Sequence, residues 1–326
     1  MQTVSLFFEK NIEKLKKSYA IGIDIGGSSL KCGVVDNLGN LLYSFNFPVS
    51  NMYAMGENIA LILAAIRKCA AQISGKIIGI GIGFPGIIDK NVVVGGGDNL
   101  PGFVNVDLGE IISTSTHLDV IIDNDVNMMG MGEYLYGAGI GCTDVLFLTV
   151  GTGIGGSLII NGEAYSGYKN RGGEIGHIPI IHNGKKCACG GVGCLEAYAS
   201  VPAMIQRYIE LYGDTFIEEI TGKYIAENYL KQEPHALAVF NEHFEYISSG
   251  IAGLVNVFSP QKVVIGGGIS ETDFYVRKIA ERVPAKAIPI SVQHTRIVKA
   301  ELGNRAGLLG CAAKVFTLFS HIYQEE

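Results

Sequence analysis

No stretch of this 326-residue chain is both long and continuously apolar. The longest apolar runs, Ile77 to Ile88 and Val145 to Ile160, are interrupted by Gly, Pro or Thr, so neither reads as a membrane span. An excess of basic charge is also missing: the net charge is −6, which argues against broad nucleic-acid binding through displaced counterions. The short run from Lys14 to Lys17 lies in an amphipathic segment and reads as a solvated helix face. There is no even cysteine framework. The total of seven is odd, and Cys32, Cys69, Cys142 and Cys311 are scattered singly, as in a reduced compartment. The N-terminus carries Glu9 and Glu13 among its lysines and lacks a secretory signal, so a cytoplasmic location is expected. No G-x-x-x-x-G-K-[ST] occurs, which removes the P-loop class. Gly151 to Gly156 matches G-x-G-x-x-G, but β-like Ser157 to Ile160 follows where a dinucleotide fold needs a helix.

What is present is a globular composition, 48% hydrophobic and 17% charged, in a chain long enough for two cores. The stretch Gly173 to Tyr198 concentrates His177, Cys187, Cys189 and Cys194, the ligand set of a closed tetrahedral zinc site. Four protein ligands leave no open position for water, so such a zinc is structural. Glu174 and Glu196 lie just outside the ligands and would be presented by the metal-folded loop. Thiols two residues apart rarely bridge each other; a metal-free cluster of structural thiols is the other reading.

In chain order, residues 1 to 18 read as a short helical extension, too short for a helix-turn-helix module. From Tyr19 follow strand, Gly-rich turn, strand and a second turn, as in a β-meander; a helix is expected over 56–73 and a buried strand ending at Pro85-Gly86. IGIDIGGSSLKCGVV and LFLTVGTGIGGSLII are each strand, glycine turn, strand, which suggests two domains on one plan. The expected division is 19–119 plus 303–326 for a small α/β domain, with 120–302 for a larger one holding the zinc loop. Residues 201 to 258 read as mostly helical with a break at Glu233-Pro234. Residues 273–283 and the small-residue-rich segment after Gly303 read as helices, and RIVKA as a strand.

Glycine turns between strands are either plain hairpins or backbone nests for phosphate. Two of matching form, with Asp24 beside the first, favour nucleotide: Asp24 would hold magnesium, directly or through water, and Lys31 would pair with phosphate. Asp125, where the strand DVIID enters a helix, suits an N-cap and also a base that accepts a hydroxyl proton.

Together these motifs resemble the ROK family of repressors, open reading frames and kinases, over nearly the whole chain from Tyr19. The resemblance implies an α/β actin-like ATPase fold, hexokinase-like and RNase H-like, with two domains around a cleft. DIGGSSLK resembles the first phosphate motif, giving Gly26, Gly27 and Ser28, with Ser28 where Thr is usual. GTGIGG resembles the second, giving Gly151, Thr152, Gly153 and Gly155. VVIGGGI resembles the adenosine motif, giving Gly266, Gly267 and Gly268. NDVN resembles the catalytic motif with Asp125 as base. EIGH and C-x-C-G-x-x-G-C-x-E resemble the sugar and zinc signature. By this resemblance Asn124, Asp125, Glu174, His177 and Glu196 contact the sugar, and zinc lies on His177, Cys187, Cys189 and Cys194. Asn99 of DNLPGF joins the sugar contacts; there Phe103 stands where many family glucokinases have Trp.

The resemblance implies an ATP-dependent hexose kinase using magnesium, acting on a C6 hydroxyl of glucose or allose, the latter because GHIPI and CACG resemble the family's allose kinases. N-acetylmannosamine, N-acetylglucosamine and fructose are family substrates too. A sugar-sensing regulator without kinase activity and an actin-like structural ATPase are the alternatives of other classes. The expected partners are hexose and ATP, with no nucleic acid or membrane, in a homodimer.

Overall fold

The computed structural model describes residues 18–26, 29–49, 54–96, 100–213 and 220–322. The helix expected over 1–18 falls outside them, except for Ser18, which opens the first strand. The chain forms two compact units. Unit 1 takes Met1–Gly141, Ser166–Gly172 and Asn304–Glu326; unit 2 takes Cys142–Tyr165 and Gly173–Gly303. The sequence places the second domain's start at 120. In the structure 120–141 belongs to unit 1, because its strand is hydrogen-bonded into that unit's sheet.

In unit 1 the strands are β1 (Ser18–Ile25), β2 (Ser29–Asp36), β3 (Leu41–Pro48), β4 (Lys76–Phe84), β5 (Ile87–Asp89), β6 (Val92–Gly95), β7 (Val106–Asp107) and β8 (Val120–Asn124). The main sheet runs β3-β2-β1-β4-β8, and β5-β6-β7 form a small second sheet. β1 pairs antiparallel with β2 and parallel with β4, which in turn pairs parallel with β8. Period-2 alternation in β1 serves two layers. Ile21, Ile23 and Ile25 join the core formed with Ile62 and Ile66 of helix α1 (Met55–Ala70). Gly22, between them, faces Leu308 of the C-terminal helix Ala306–Ile322, whose backbone would collide with any Cβ there. Gly81, Gly132 and Gly310 repeat the device, against Cys311, Ala306 and Met128. Small residues let this helix lie backbone to backbone on the sheet and on helix α3 (Asp125–Tyr136), which follows α2 (Leu108–Thr116) in the chain.

In unit 2, β9 (Val145–Val150), β10 (Ile154–Ile160), β11 (Glu163–Tyr165), β12 (Lys262–Gly266) and β13 (Arg296–Lys299) form the sheet β11-β10-β9-β12-β13. The pairing directions match those of unit 1 strand for strand: a meander on one side of the first strand and two parallel strands on the other. Helices α4 (Val201–Tyr212), α5 (Gly222–Leu230), α6 (Pro234–Phe258) and α7 (Asp273–Arg282) cover it. Leu146, Leu148 and Val150 of β9 pack into one core with Tyr208, Phe240, Phe244 and Tyr275. The break read at Glu233-Pro234 is a helix start: Pro234 opens α6 with its ring-fixed φ, and the Glu233 carboxylate accepts from the His235 and Ala236 N–H groups. Among the described residues no helix is long and apolar enough to cross a membrane.

Candidate active-site groups and metal centre

The parallel strands of unit 1 deliver their chemistry at one edge, the C-terminal ends where α/β sheets present ligand sites. Asp24 is the last residue but one of β1 and is buried; its Oδ2 accepts from Lys31 Nζ at 3.3 Å across the β1–β2 pair. Lys31 is therefore engaged by a carboxylate. Burial pushes the Asp24 carboxyl upward, with Lys31 opposing. Asp125 follows β8 as the first residue of α3, and the helix cap is its neighbour: Asn124 Oδ1 accepts from the Val126 and Asn127 N–H groups at 2.9 and 3.3 Å. Asn124 Nδ2 donates to Gly86 O at 3.0 Å, and its second N–H has no partner among the described residues. With capping done by Asn124, Asp125 keeps an oxygen free: Oδ1 accepts from the Val126 N–H, and Oδ2 has no partner among the described residues. Its carboxyl is raised to about 6, first by burial and then by the charge of Asp24.

Two further groups support this edge. Asp123 Oδ1 accepts from the Asn124 N–H and from Asn127 Nδ2, and its Oδ2 from Lys314 Nζ at 3.3 Å. A Cβ at Gly307 would strike the Asp24 carboxylate. Asp123 was missed by the sequence reading; it immediately precedes the NDVN motif, and that adjacency is the signal that points to it. Lys314 and Gly307 carry no local signal, since their partners are distant in sequence.

In unit 2, Gly151 to Gly153 form the tight turn between β9 and β10, closed by the Gly151 N–H donating to Gly153 O at 2.9 Å. Thr152 is at its tip, whereas Gly155 lies within β10 facing Thr149. Gly266 ends β12 beside β9. Gly267 has φ +98° and approaches Val150 O so closely that only glycine fits, and Gly268 opens a short 3-10 turn. The two glycine motifs thus converge at the ends of adjacent parallel strands. Gly27, Ser28 and Asn99 lie outside the described residues. Phe103 is buried in the core of unit 1 against Phe84, ring centroids 5.0 Å apart.

The Cys/His segment folds as a compact loop. Its ligand atoms, from His177, Cys187, Cys189 and Cys194, all lie within 4.8 Å of one another. Cys187 Sγ is 3.6 Å from His177 Nδ1, and Cys189 Sγ is 3.7 Å from Cys194 Sγ, far beyond a disulfide bond. A tetrahedral zinc with Zn–S near 2.3 Å spaces its sulfurs by roughly 3.8 Å, so these separations fit the ion. Nδ1 is the ring nitrogen turned to the thiolates, leaving Nε2 for another partner. Gly193, at φ +78°, meets Ile181 O and tolerates no side chain. The Lys185 N–H donates to Tyr198 Oη at 2.6 Å, tying the loop to the residues after it.

Glu196 joins the loop to the glycine turn. Its Oε2 accepts from the Ile154 N–H at 2.8 Å, while the Val201 N–H donates to Gly151 O, so the segment 196–201 grips both ends of the turn. That second role was not visible in the sequence. Glu174 is exposed, and its side chain makes no hydrogen bond among the described residues.

The ROK family model matches residues 20–317. A glucokinase of Halalkalibacterium halodurans is 32% identical over 308 residues, 89% of this chain and 92% of that protein. A putative xylose repressor of a Caldicellulosiruptor species is also 32% identical, over 312 residues, 91% of this chain and 78% of that protein. The crystal structure of a ROK family glucokinase from Streptomyces griseus, in complex with glucose and AMPPNP, shares 30% identity and superposes with a TM-score of 0.76, covering 90% of this chain and 98% of that one.

Proposed function

The chain belongs to the ROK family and has its actin-like α/β fold, and on that premise we propose that it is an ATP-dependent hexose kinase with Asp125 as its general base. The observation that carries this reading is the division of labour at the start of α3. Asn124 caps the helix, and Asp125 keeps a free carboxylate oxygen with its pKa raised to about 6. A carboxylate whose pKa lies near the working pH accepts a hydroxyl proton most effectively. A sugar sensor needs hydrogen-bond acceptors but no base held at that poise. This supports the kinase reading over that of a repressor, which the xylose repressor relative supports at the same identity.

Unit 1 supplies the base and Asp24, the carboxylate that would hold magnesium. Burial raises its carboxyl, and its charge in turn raises Asp125; a divalent cation at Asp24 would offset both. Unit 2 supplies the turns Gly151–Gly153 and Gly266–Gly268 for the nucleotide, and Glu174, His177 and Glu196 for the sugar. His177, Cys187, Cys189 and Cys194 would hold zinc. When bound, that ion gives the loop a fixed shape and His177 a fixed tautomer. His177 Nε2 and Glu174 then meet vicinal hydroxyls. Asp125 takes the proton of the hydroxyl as that oxygen attacks the γ-phosphorus in line, and ADP leaves.

The test is ADP release from magnesium-ATP across glucose, allose, fructose, mannose, N-acetylmannosamine and N-acetylglucosamine. One sugar well above the rest, silent in Asp125→Ala, supports the reading. A flat panel in zinc-replete protein, with sugar binding retained, moves the assignment to a sensor.

A further inference from the structure

The motif NDVN ends in Asn127, a residue to which the proposed mechanism gives no task. Its side chain reaches back to the strand before it: Asn127 Nδ2 donates to Asp123 Oδ1 at 3.0 Å, and the Asn124 N–H donates to the same oxygen at 2.7 Å. The other oxygen of Asp123 accepts from Lys314 Nζ at 3.3 Å. These bonds form a relay from the C-terminal helix to the first turn of α3, the turn that carries Asp125.

Each end of the relay follows from sequence periodicity. Along β8, Val120 and Ile122 enter the core shared with α1, so by alternation Asp123 leaves it on the other face, where the C-terminal helix lies. On that helix Gly307, Gly310, Cys311 and Lys314 fall at i, i+3, i+4 and i+7 and share one face. Gly307 passes beside the Asp24 carboxylate, Gly310 lies against Met128 O, and Cys311 Sγ donates to Ile23 O. Lys314 alone brings charge to this face, and the Lys314 and Asp123 side chains are only 28% and 13% exposed. An ion pair so far withdrawn from water gains little over an apolar pair of the same shape, so stability alone does not account for it.

The distribution of cations agrees. Unit 1 gathers three carboxylates at this edge. Asp24 is paired with Lys31 and Asp123 with Lys314, each at 3.3 Å, while Asp125 has no cation partner among the described residues. Both lysines are thus taken up by the flanking carboxylates, and the proposed base keeps its oxygen free. We infer that Lys314 and Asp123 are positioning residues for that base: they pin Asn127 and the Asn124 backbone, and so set the direction in which Asp125 presents Oδ2. The inference rests on the kinase reading above. Without Lys314 the Asp123 carboxylate is free to turn toward water. Its two donors then loosen, and with them the Asn124 cap on the Val126 and Asn127 N–H groups.

Lys314→Met keeps the side-chain length and removes the charge. With magnesium-ATP and the most active sugar of the panel, its kcat should fall about tenfold while both KM values stay within about twofold, since only the approach of the base is disturbed. Lys314→Arg, which keeps the charge, should return to within about threefold of the wild type. Asp123→Asn combined with Lys314→Met removes both charges, leaves Asn127 an acceptor, and should lose less than Lys314→Met alone. A second readout needs no turnover. Hydrogen exchange at the Val126 and Asn127 amides should quicken about tenfold in Lys314→Met, with the middle of the C-terminal helix unchanged. Faster exchange with full kcat means that the pair serves stability only and overturns the inference. Unchanged exchange overturns it as well, and so does a loss carried by KM. A wild type that releases no ADP with any sugar removes the kinase reading instead, and the exchange rates still decide whether this pair holds the turn.

Discussion

The hairpins β1–β2 and β9–β10 share a plan and part company at one facing pair. Ile25 faces Leu30 as Val150 faces Ile154. One step further from the turn, unit 1 places Asp24 opposite Lys31, and unit 2 places Thr149 opposite Gly155. A half-buried ion pair thus occupies one sheet where a hydroxyl and a bare backbone occupy the other. The difference is chemical and leaves the fold alone, since both sheets continue with the same parallel strands. Unit 1 concentrates negative charge at its edge, with Asp24 raising Asp125. Unit 2 has no charged side chain at the matching pair of its own strands; the carboxylate at its turn is that of Glu196, which reaches the Ile154 N–H from the flanking loop.

The sharpest way to break this contrast is Asp125→Asn. It should lower turnover by about 10²–10⁴-fold, read as ADP release under saturating sugar. It should also stabilise the protein, because the carboxyl is raised from 3.8 to about 6 and the folded state therefore prefers the neutral acid. The wild type loses stability as pH rises through that interval, so the variant's advantage grows to ~1–3 kcal/mol above it and vanishes below about pH 4. Thermal melts across pH decide this; a variant less stable at neutral pH would refute the charged edge. Cys194→Ala comes next. Zinc measured by mass spectrometry should fall from one per chain to none, the melting of unit 2 should drop, and the sugar KM should rise, while the pH dependence set at Asp125 stays in place. Unchanged metal content would end the zinc assignment. The smallest effect is expected for Thr149→Asp, which copies unit 1's charge into unit 2. Nucleotide KM should rise about tenfold, more at low salt, with turnover preserved; an unchanged KM would place the phosphates away from this turn.

Much of this arrangement was legible because it is local. The glycine turns, the helix break at Glu233-Pro234 and the Cys/His spacing each announce themselves within a few residues, and the matching of IGIDIGG to LFLTVGTG anticipated two sheets of one pattern. What was hidden depends on distance. β8 reads as the beginning of a second domain until its pairing with β4 is seen, because a parallel partner leaves no mark in the adjacent sequence. The short strands β5 to β7 are too brief for periodicity to register. Asp125 was open to two readings, N-cap or base; that Asn124 takes the capping role follows from backbone geometry at one residue. The contacts of Lys314 with Asp123 and of Glu196 with Ile154 join segments that nothing short of the fold brings together.

The helix Ala306–Ile322 lies against β1, β4 and α3 through glycine-to-backbone contacts, and Cys311 Sγ donates to Ile23 O at 3.0 Å. During synthesis the ribosome completes all of unit 2 before it releases this helix. Unit 2 is therefore free to fold first, while β1 and β4 wait with the face around Gly22 and Gly81 uncovered. The nascent chain passes through a period in which its earliest strands are its last to be buried, and a chaperone that protects it should engage those strands and let go when the final helix docks.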